Sequence, residues 1–126
     1  MLGVDMSWSE EECREHRVIV CGSRKWRDRE AIADRLFDLP PSTIVHGNAA
    51  GADRIAEQEA LKLGHLVESH PAEWDLYGKG AGPIRNQLMA DLGASLCIAF
   101  WDGQSTGTAD MVRRASKAGI PTETVQ

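Results

Sequence analysis

The chain has 126 residues, of which 42% are apolar and 26% are charged. This length predicts a single domain with one core, and the composition excludes an intrinsically disordered chain. The formal net charge of -5, from 19 acidic and 14 basic residues, argues against duplex nucleic acid as a partner, because neutralising its phosphates needs a basic face. A local basic pocket for one small anion remains compatible with this charge.

The cysteines and the apolar runs indicate the compartment. Cys13, Cys21 and Cys97 show no Cys-x-x-Cys spacing, and an odd number without a disulfide framework favours a reducing environment. Cys21 and Cys97 lie in apolar runs, where we expect buried thiols. Residues 1–17 lack the apolar segment of a signal peptide, and the longest apolar run, 96–101, is too short to cross a bilayer. We therefore expect a cytoplasmic protein with no membrane partner.

Residues 1–16 predict an acidic N-terminal extension, either a short helix or a disordered tail, and Ser7 with Glu10 has the spacing of a capping box. From residue 17 to residue 126, apolar strand patterns alternate with helical patterns. Strands are predicted, in chain order, at 18–21, 43–45, 66–70, 96–100 and 120–125. The third strand is the most polar, which suits the edge of a sheet, and the last is also predicted at an edge.

Amphipathic helices are predicted between these strands, each with one apolar stripe that would face the sheet. The stripes are, in chain order, Ile32, Leu36 and Leu39; Ala52, Ile55, Ala56, Ala60 and Leu63; Ile84, Leu88 and Leu92; and Val112, Ala115 and Gly119. A long loop at 71–82 is predicted to precede the third helix. The alternation predicts one α/β domain, a Rossmann-like open parallel sheet of about five strands with helices on both faces.

In such a sheet, ligands bind beyond the carboxyl ends of the strands. A glycine-rich or polar segment follows each of the first four predicted strands, so these segments should converge on one edge. They supply the candidate ligand-binding residues Gly22, Ser23, Arg24, Gly47, Asn48, Gly51, Asp53, Trp74, Lys79, Arg85, Asn86, Gly103, Ser105, Thr106, Gly107 and Thr108.

The glycine-rich loops at 47–51 and 103–107 favour a phosphate site. Glycine lets a ligand approach the backbone closely, and a helix that begins after such a loop presents free N–H groups to an anion. Alternatively the glycines only form tight turns, but two such loops at one edge favour the ligand site. Neither loop carries the lysine of a P-loop or the dinucleotide fingerprint, so an ATPase or a dehydrogenase is weakly indicated.

The polar candidates leave alternatives open. Arg24 would clamp a phosphate bidentately or form a surface ion pair. Arg85, with Asn86, is predicted in the first turn of a helix, where the macrodipole disfavours a cation, so its position indicates an anion nearby. Asp53 would either cap its helix or contact a ribose hydroxyl.

The aromatic and histidine side chains are less informative. Trp74 and Tyr77 would either stack on a base or pack their loop against the body, whereas Trp101 is expected to close the core. The histidines His46, His65 and His70 have no ligand-like spacing, so no metal site is predicted.

Four segments together resemble the YspA-related branch of the SLOG (Smf/DprA–LOG) superfamily, in order and from residue 17 to the end. They are Gly22-Ser23-Arg24; His46-Gly47-x-Ala49-x-Gly51-Ala52-Asp53; Ala72-x-Trp74-x-x-Tyr77-Gly78-Lys79-x-Ala81-Gly82-Pro83-x-Arg85-Asn86-x-x-Met89; and Trp101-Asp102-Gly103-x-Ser105-x-Gly107-Thr108. The resemblance implies a Rossmann-like fold and a pocket for a nucleotide or a nucleotide-derived ligand. We expect no cofactor. Members of the family tend to self-associate, which leaves a homo-oligomer open.

The first functional hypothesis is a ligand sensor or accessory module, because no pair of general base and nucleophile is evident. The second is an N-glycosidase or phosphoribohydrolase acting on a nucleoside monophosphate, with Asp53, Asp102 or Asp110 stabilising the oxocarbenium-like transition state. The related lonely-guy enzymes carry a catalytic glutamate where this chain has Met111, beside Asp110. The third is single-stranded DNA binding, as in the DNA-processing relative; the negative charge and a lack of Lys/Arg clustering count against it.

Overall fold

The computed structural model describes residues 8–126. Its strands are β1 (Arg17–Gly22), β2 (Thr43–His46), β3 (Leu66–Ser69), β4 (Leu96–Phe100) and β5 (Thr122–Val125). They form one sheet in the order β3-β2-β1-β4-β5, and every neighbouring pair is parallel. The predicted open parallel sheet is confirmed, with the polar third strand and the last strand at its two edges.

The helices lie on both faces of this sheet. They are α1 (Glu10–Arg14), α2 (Arg29–Phe37), α3 (Ala52–Leu63), α4 (Trp74–Tyr77), α5 (Ala81–Leu92) and α6 (Thr106–Lys117), with a 3-10 turn at Gly78–Gly80. Helices α2 and α3 pack on one face, and α5 and α6 pack on the other. The strand order reverses between β1 and β4, so a crevice opens at their carboxyl ends.

The strands alternate their side chains between two cores. Val18, Val20 and Phe100 face α2 and α3, whereas Ile19 and Cys21 face α5 and α6. Burial on both sides explains why the inner strands read as unbroken apolar runs. The three cysteines are buried and free, as Cys21 and Cys97 were expected to be.

The predicted apolar stripe of α5 is wrong. Ile84, Leu88 and Leu92 are 48%, 48% and 51% exposed. The buried face is instead made of small and polar residues, namely Ala81, Gly82, Asn86, Met89 and Ala90. Small side chains let this helix lie close to the sheet, and its polar bonds to α6 and to the loop after β2 set its rotation.

Two further boundaries differ from the prediction. The segment 71–82, expected as a long loop, contains α4 and the 3-10 turn, and α5 already begins at Ala81. Arg85 therefore lies in the second turn of α5, where the helix macrodipole no longer strongly disfavours a cation. Its position on the helix alone does not indicate an anion nearby. Helix α6 ends at Lys117, so Gly119, with φ +82°, lies beyond its buried stripe.

Helix α1 packs against the sheet. A capping box is formed by Ser9 and Glu12. The predicted box of Ser7 with Glu10 involves Ser7, which lies outside the described residues. Cys13 is 1% exposed, and its carbonyl accepts a hydrogen bond of 3.1 Å from the Thr43 hydroxyl. Helix α1 is thereby tied to the start of β2.

Candidate functional site

A cleft of about 790 Å³ opens at the switch point between β1 and β4. Its walls come from the segment after β1, the loop after β4, and helices α3, α4, α5 and α6. The candidate residues that line it are Gly22, Ser23, Arg24, Asp53, Trp74, Lys79, Arg85, Asn86, Asp102, Ser105, Thr106, Gly107, Thr108 and Asp110. Residues from four separate strand ends therefore meet in one cavity.

The balance of charge in this cleft is positive, although the chain as a whole is acidic. Its basic side chains are Arg24, Lys25, Lys79, Arg85 and Arg113, and its acidic ones are Asp53, Asp102 and Asp110. A concave surface with one dominant sign of charge concentrates ions of the opposite sign. The cleft is thus suited to an anionic ligand.

Arg85 lies half-buried in the wall of the cleft. Its Nη1 donates to the Gly47 carbonyl at 2.6 Å and to the His70 carbonyl at 3.3 Å, and its Nε donates to Asn86 at 2.8 Å. Burial lowers the pKa of Arg85, while the neighbouring Asp53 charge opposes that change. The guanidinium stays charged at neutral pH. Its Nη2 has no acceptor among residues 8–126, which leaves a donor for a ligand.

Of the loop residues 47–51 between β2 and α3, Ala49 lines the cleft and the others support it from outside. Gly47, Asn48 and Gly51 do not line the cavity, and neither does Gly103 in the β4 loop. A Cβ at Gly47 would overlap the Arg85 guanidinium, and one at Gly51, where φ is +78°, would overlap the backbone after β1. These glycines allow close packing of protein on protein, the alternative to direct ligand contact.

Asp53 holds this loop in place. Its Oδ2 accepts the amides of Gly47 at 3.1 Å and Ala49 at 3.2 Å, and the residue is only 6% exposed. Burial raises the pKa of Asp53, although the Ala49 amide and the charges of His46 and Arg85 counteract it. Its Oδ1 accepts no hydrogen bond from the described part of the chain.

Asp102 shapes the loop after β4. Its Oδ1 accepts the amides of Gln104 at 2.9 Å and Ser105 at 3.2 Å, and its Oδ2 accepts the Ser23 hydroxyl at 3.3 Å. The bond from the Gln104 amide is the main cause that holds the pKa of Asp102 below its ordinary value. Asp102 therefore joins the loops that follow β1 and β4.

Asp110 sits in a network of basic and amide groups. It accepts hydrogen bonds from Asn86 at 2.9 Å, Arg114 at 2.9 Å and Arg113 at 2.5 Å. Burial acts to raise the pKa of Asp110, but the bonds and charges of these neighbours outweigh it and hold the pKa low. This carboxylate binds α5 to α6.

Helix α6 begins at the cleft. The Ser105 hydroxyl caps it by accepting the Thr108 amide at 3.3 Å. The amides of Thr106 and Gly107 have no acceptor within residues 8–126, and both residues line the cavity. They are the free donors that a helix start offers to an anion.

Trp74 forms an aromatic wall of the same cavity. It is 48% exposed, and the Arg24 guanidinium carbon lies 5.9 Å from its ring centroid. Its ring edge would be 3.3 Å from a Cβ at Gly82, so α5 carries no side chain there. Tyr77 is equally exposed but does not line the cavity, and Trp101 packs partly buried against the core under α6.

A family model described as the YspA, cpYpsA-related SLOG family matches residues 16–77. The Gene 61 protein of Mycobacterium phage D29 is 45% identical over 115 residues, which cover 83% of this chain and 92% of that protein.

The chain belongs to the YspA, cpYpsA-related SLOG family.

The SLOG fold is also visible in a solved structure. The X-ray structure of DNA processing protein A (DprA) from Streptococcus pneumoniae is similar with a TM-score of 0.72 and 22% identity. The match covers 88% of this chain and 50% of that one, so this chain spans half of its length. At this identity the likeness shows the fold alone, and it confirms the expected Rossmann-like architecture.

The cleft also contains side chains that the sequence patterns did not single out. They are Lys25, Gln104 and Arg113. Lys25 directly follows Arg24, and Arg113 lies one helical turn after Asp110. Their closeness to predicted site residues was therefore a signal in the sequence that could have identified both. Gln104 had no such signal, because the turn that places it beside the cavity depends on the hydrogen bonds accepted by Asp102.

The expectation that basic residues do not cluster is wrong. Beside the cleft, five basic residues lie around a smaller cavity of about 420 Å³. These residues are Arg24, Lys25, Arg27, Arg29 and Arg54. Four of them fall within 24–29, so part of the cluster is already present in the sequence.

Two properties of residues 8–126 concern other kinds of site. None of the helices described there has the length and apolarity needed to traverse a bilayer. The same residues bring no three His, Cys, Asp or Glu side chains together in a group that would hold a metal ion.

Proposed function

We propose that this SLOG protein binds a nucleotide or a nucleotide-derived small molecule in the cleft, as a sensor or an accessory module. The observation that carries the proposal is the combination of the free Nη2 of Arg85 with the free amides of Thr106 and Gly107 in one cavity. Guanidinium and helix-start amides together form a favourable phosphate environment.

The aromatic wall supports a nucleotide rather than a bare anion. Trp74 is half-exposed in the same cavity and has Arg24 near its ring. A base would stack on the indole while Arg24 remains close enough to contact a phosphate. A volume of about 790 Å³ is large enough for a ligand of this size.

The bonding of the carboxylates favours binding over hydrolysis. Asp102 and Asp110 each accept several hydrogen bonds from the protein. A carboxylate already committed to loop amides or to arginines is poorly available as a general base.

The test begins with native mass spectrometry of the purified protein and continues with calorimetric titration of nucleoside monophosphates and their derivatives. Arg24→Ala should weaken binding by about tenfold or more, since a charge-assisted contact is lost. Lys117→Ala removes one positive charge at the far end of α6 and should leave binding unchanged. If no nucleotide binds at millimolar concentration, the proposal is wrong.

A phosphoribohydrolase is the second candidate, and the buried Asp53 is the observation that favours it. Its Oδ1 is free of protein donors in the described chain, and burial raises the pKa of Asp53. Incubation with the same nucleotides, followed by chromatography for free base, tests this activity. Asp53→Asn keeps an acceptor for the loop amides and should abolish the activity without unfolding the protein. Intact nucleotides, alongside a working control enzyme, would eliminate this candidate.

A further inference from the structure

The smaller basic cavity adjoins the proposed nucleotide site. It is lined by the segment after β1, the start of α2 and the first turn of α3. Arg24 and Lys25 line both cavities. The two cavities therefore adjoin each other at Arg24 and Lys25.

The charge in this cavity is not balanced by the protein. Arg24, Lys25, Arg27 and Arg54 form no ion pair among residues 8–126, and no carboxylate lines the cavity. Only Arg29 is paired, with Glu59 at 2.6 Å. Unpaired cations that face one another in a concave surface repel each other, so an anion would stabilise the arrangement.

The position of these cations on their helices adds to this imbalance. Arg29 is the first residue of α2, and Arg54 is the third residue of α3. The start of a helix carries a partial positive charge, and arginine is disfavoured there. Two helix starts and their arginines converge on one cavity, an arrangement that fits an occupant with negative charge.

Backbone hydrogen bonds join the segments that lie between the two cavities. The Ser23 carbonyl accepts the amides of Trp26 and Ala52, each at 3.2 Å. Gly51, with φ +78°, lets α3 begin against the same backbone. These contacts fix the backbone that carries Arg24 and Lys25 between the two cavities.

We propose that the smaller cavity binds a second phosphate group of the ligand held in the main cleft. The ligand is then a nucleotide derivative that carries a second phosphate group, and a 5′-phosphorylated dinucleotide is the representative used in the test. This inference rests on the proposed function of the main cleft. It adds the chemical class of the ligand and a role for Arg27 and Arg54.

The test compares nucleoside 5′-monophosphates of adenine, guanine, cytosine and uracil with the matching 5′-phosphorylated dinucleotides by calorimetry. The best dinucleotide should bind about tenfold or more tightly than its monophosphate, because a second charge-assisted site is filled. Arg54→Ala and, separately, Arg27→Gln should remove most of this advantage. Lys117→Ala removes the same amount of positive charge and should retain the tighter binding of the dinucleotide. Circular dichroism and thermal unfolding of each variant establish that the fold is intact.

The outcomes separate this inference from the proposed function. A monophosphate that binds as tightly as its dinucleotide would overturn the second site and leave the main cleft as proposed. The absence of binding by either class would overturn both. If a long single-stranded oligonucleotide binds far more tightly than any dinucleotide, and Arg54→Ala removes that binding, the occupant is a nucleic-acid strand and the small-ligand inference is wrong.

Discussion

Gly47, in the loop after β2, and Arg85, in α5, pack directly against each other. The guanidinium lies against the Gly47 backbone and donates to its carbonyl at 2.6 Å. Any side chain at Gly47 would push the Arg85 guanidinium away from the cleft wall. The guanidinium is the flexible end of its side chain, but moving it would break the hydrogen bonds that it donates to the Gly47 carbonyl, the His70 carbonyl and Asn86. The glycine therefore acts through the arginine that it accommodates.

Gly47→Ala should lower the free energy of unfolding by about 1–3 kcal/mol, the usual cost of overpacking a buried site. Gly107→Ala is the matched control, because Gly107 lies inside α6 and a Cβ there has no neighbour within 4 Å. That substitution should be neutral or stabilise the protein by up to about 1 kcal/mol through helix propensity. Urea unfolding of both variants gives the comparison, and equal effects would contradict the role assigned to Arg85.

The ion pair between Glu68 and Arg17, at the edge of the sheet, predicts that the stability of the protein depends on pH. Arg17 donates to both carboxylate oxygens of Glu68 at 2.8 Å, and His70 lies 2.7 Å away. The bond from Arg17 is the main cause that lowers the pKa of Glu68 from 4.5 to about 2. A carboxyl with a lowered native pKa adds stability above its unfolded pKa, and that stability is lost as the pH falls towards the native value.

Glu68→Gln should therefore destabilise the protein near pH 6, and the difference from the wild type should shrink between pH 4.5 and pH 2. The side chain is about one third exposed, so solvent screening limits the effect to about 1 kcal/mol. Thermal unfolding of both proteins across this range measures it. A difference that stays constant with pH would show that the Arg17 pair adds no pH-dependent stability.

At the scale of elements, α5 is oriented by its small and polar face. Ala81, Gly82 and Ala90 let the helix approach the sheet, and Asn86 bonds to Asp110 on α6. The leucines at 88 and 92 are left about half-exposed. Regular apolar spacing therefore marked the wrong side of the helix, because close approach and buried hydrogen bonds outweighed the burial of two leucines.

Adjacent residues of α5 test this orientation. Leu88→Gln should change the free energy of unfolding by less than about 0.5 kcal/mol, as substitutions at exposed positions usually do. Met89→Ala should cost about 2–5 kcal/mol, because Met89 is 1% exposed and its loss would leave a cavity. Chemical denaturation of both variants decides the matter, and a larger loss for Leu88→Gln would mean that another surface covers this face.

At the scale of the whole molecule, charge is distributed unevenly. The chain carries a net charge of -5, yet both cavities beside the switch point are mainly basic. The field of the clustered cations acts over a distance that salt shortens, from about 10 Å at 0.1 M to about 3 Å at 1 M. Attraction of an anionic ligand should accordingly depend on ionic strength.

The affinity for the best-binding nucleotide should fall as salt rises from 0.1 M to 1 M, since screening removes long-range attraction. The corresponding nucleoside lacks the phosphate, and its weaker binding should change little over the same range. Titrations of both compounds at several salt concentrations provide the test. A nucleotide whose affinity is insensitive to salt would indicate that the base, rather than the phosphate, carries recognition.

Much of this architecture follows from local sequence. Apolar runs such as 18–21 and 96–100 predict strands buried on both faces, and their alternation with helices predicts a parallel sheet with its ligand edge at the strand ends. Side chains next to strand ends, including Arg24 and Ser105, were identifiable because neighbours along the chain stay neighbours in the fold.

Other features depended on distant parts of the chain. The sequence by itself determined the fold class, the order of elements and the edge where side chains converge, because these follow from periodicity within a few residues. Only the tertiary structure decided which face of α5 is buried, that Gly47 packs on Arg85, and that Arg54 joins the cations at 24–29. Those outcomes arise from packing between elements far apart in sequence, where close approach and hydrogen bonding select among patterns that are locally equivalent.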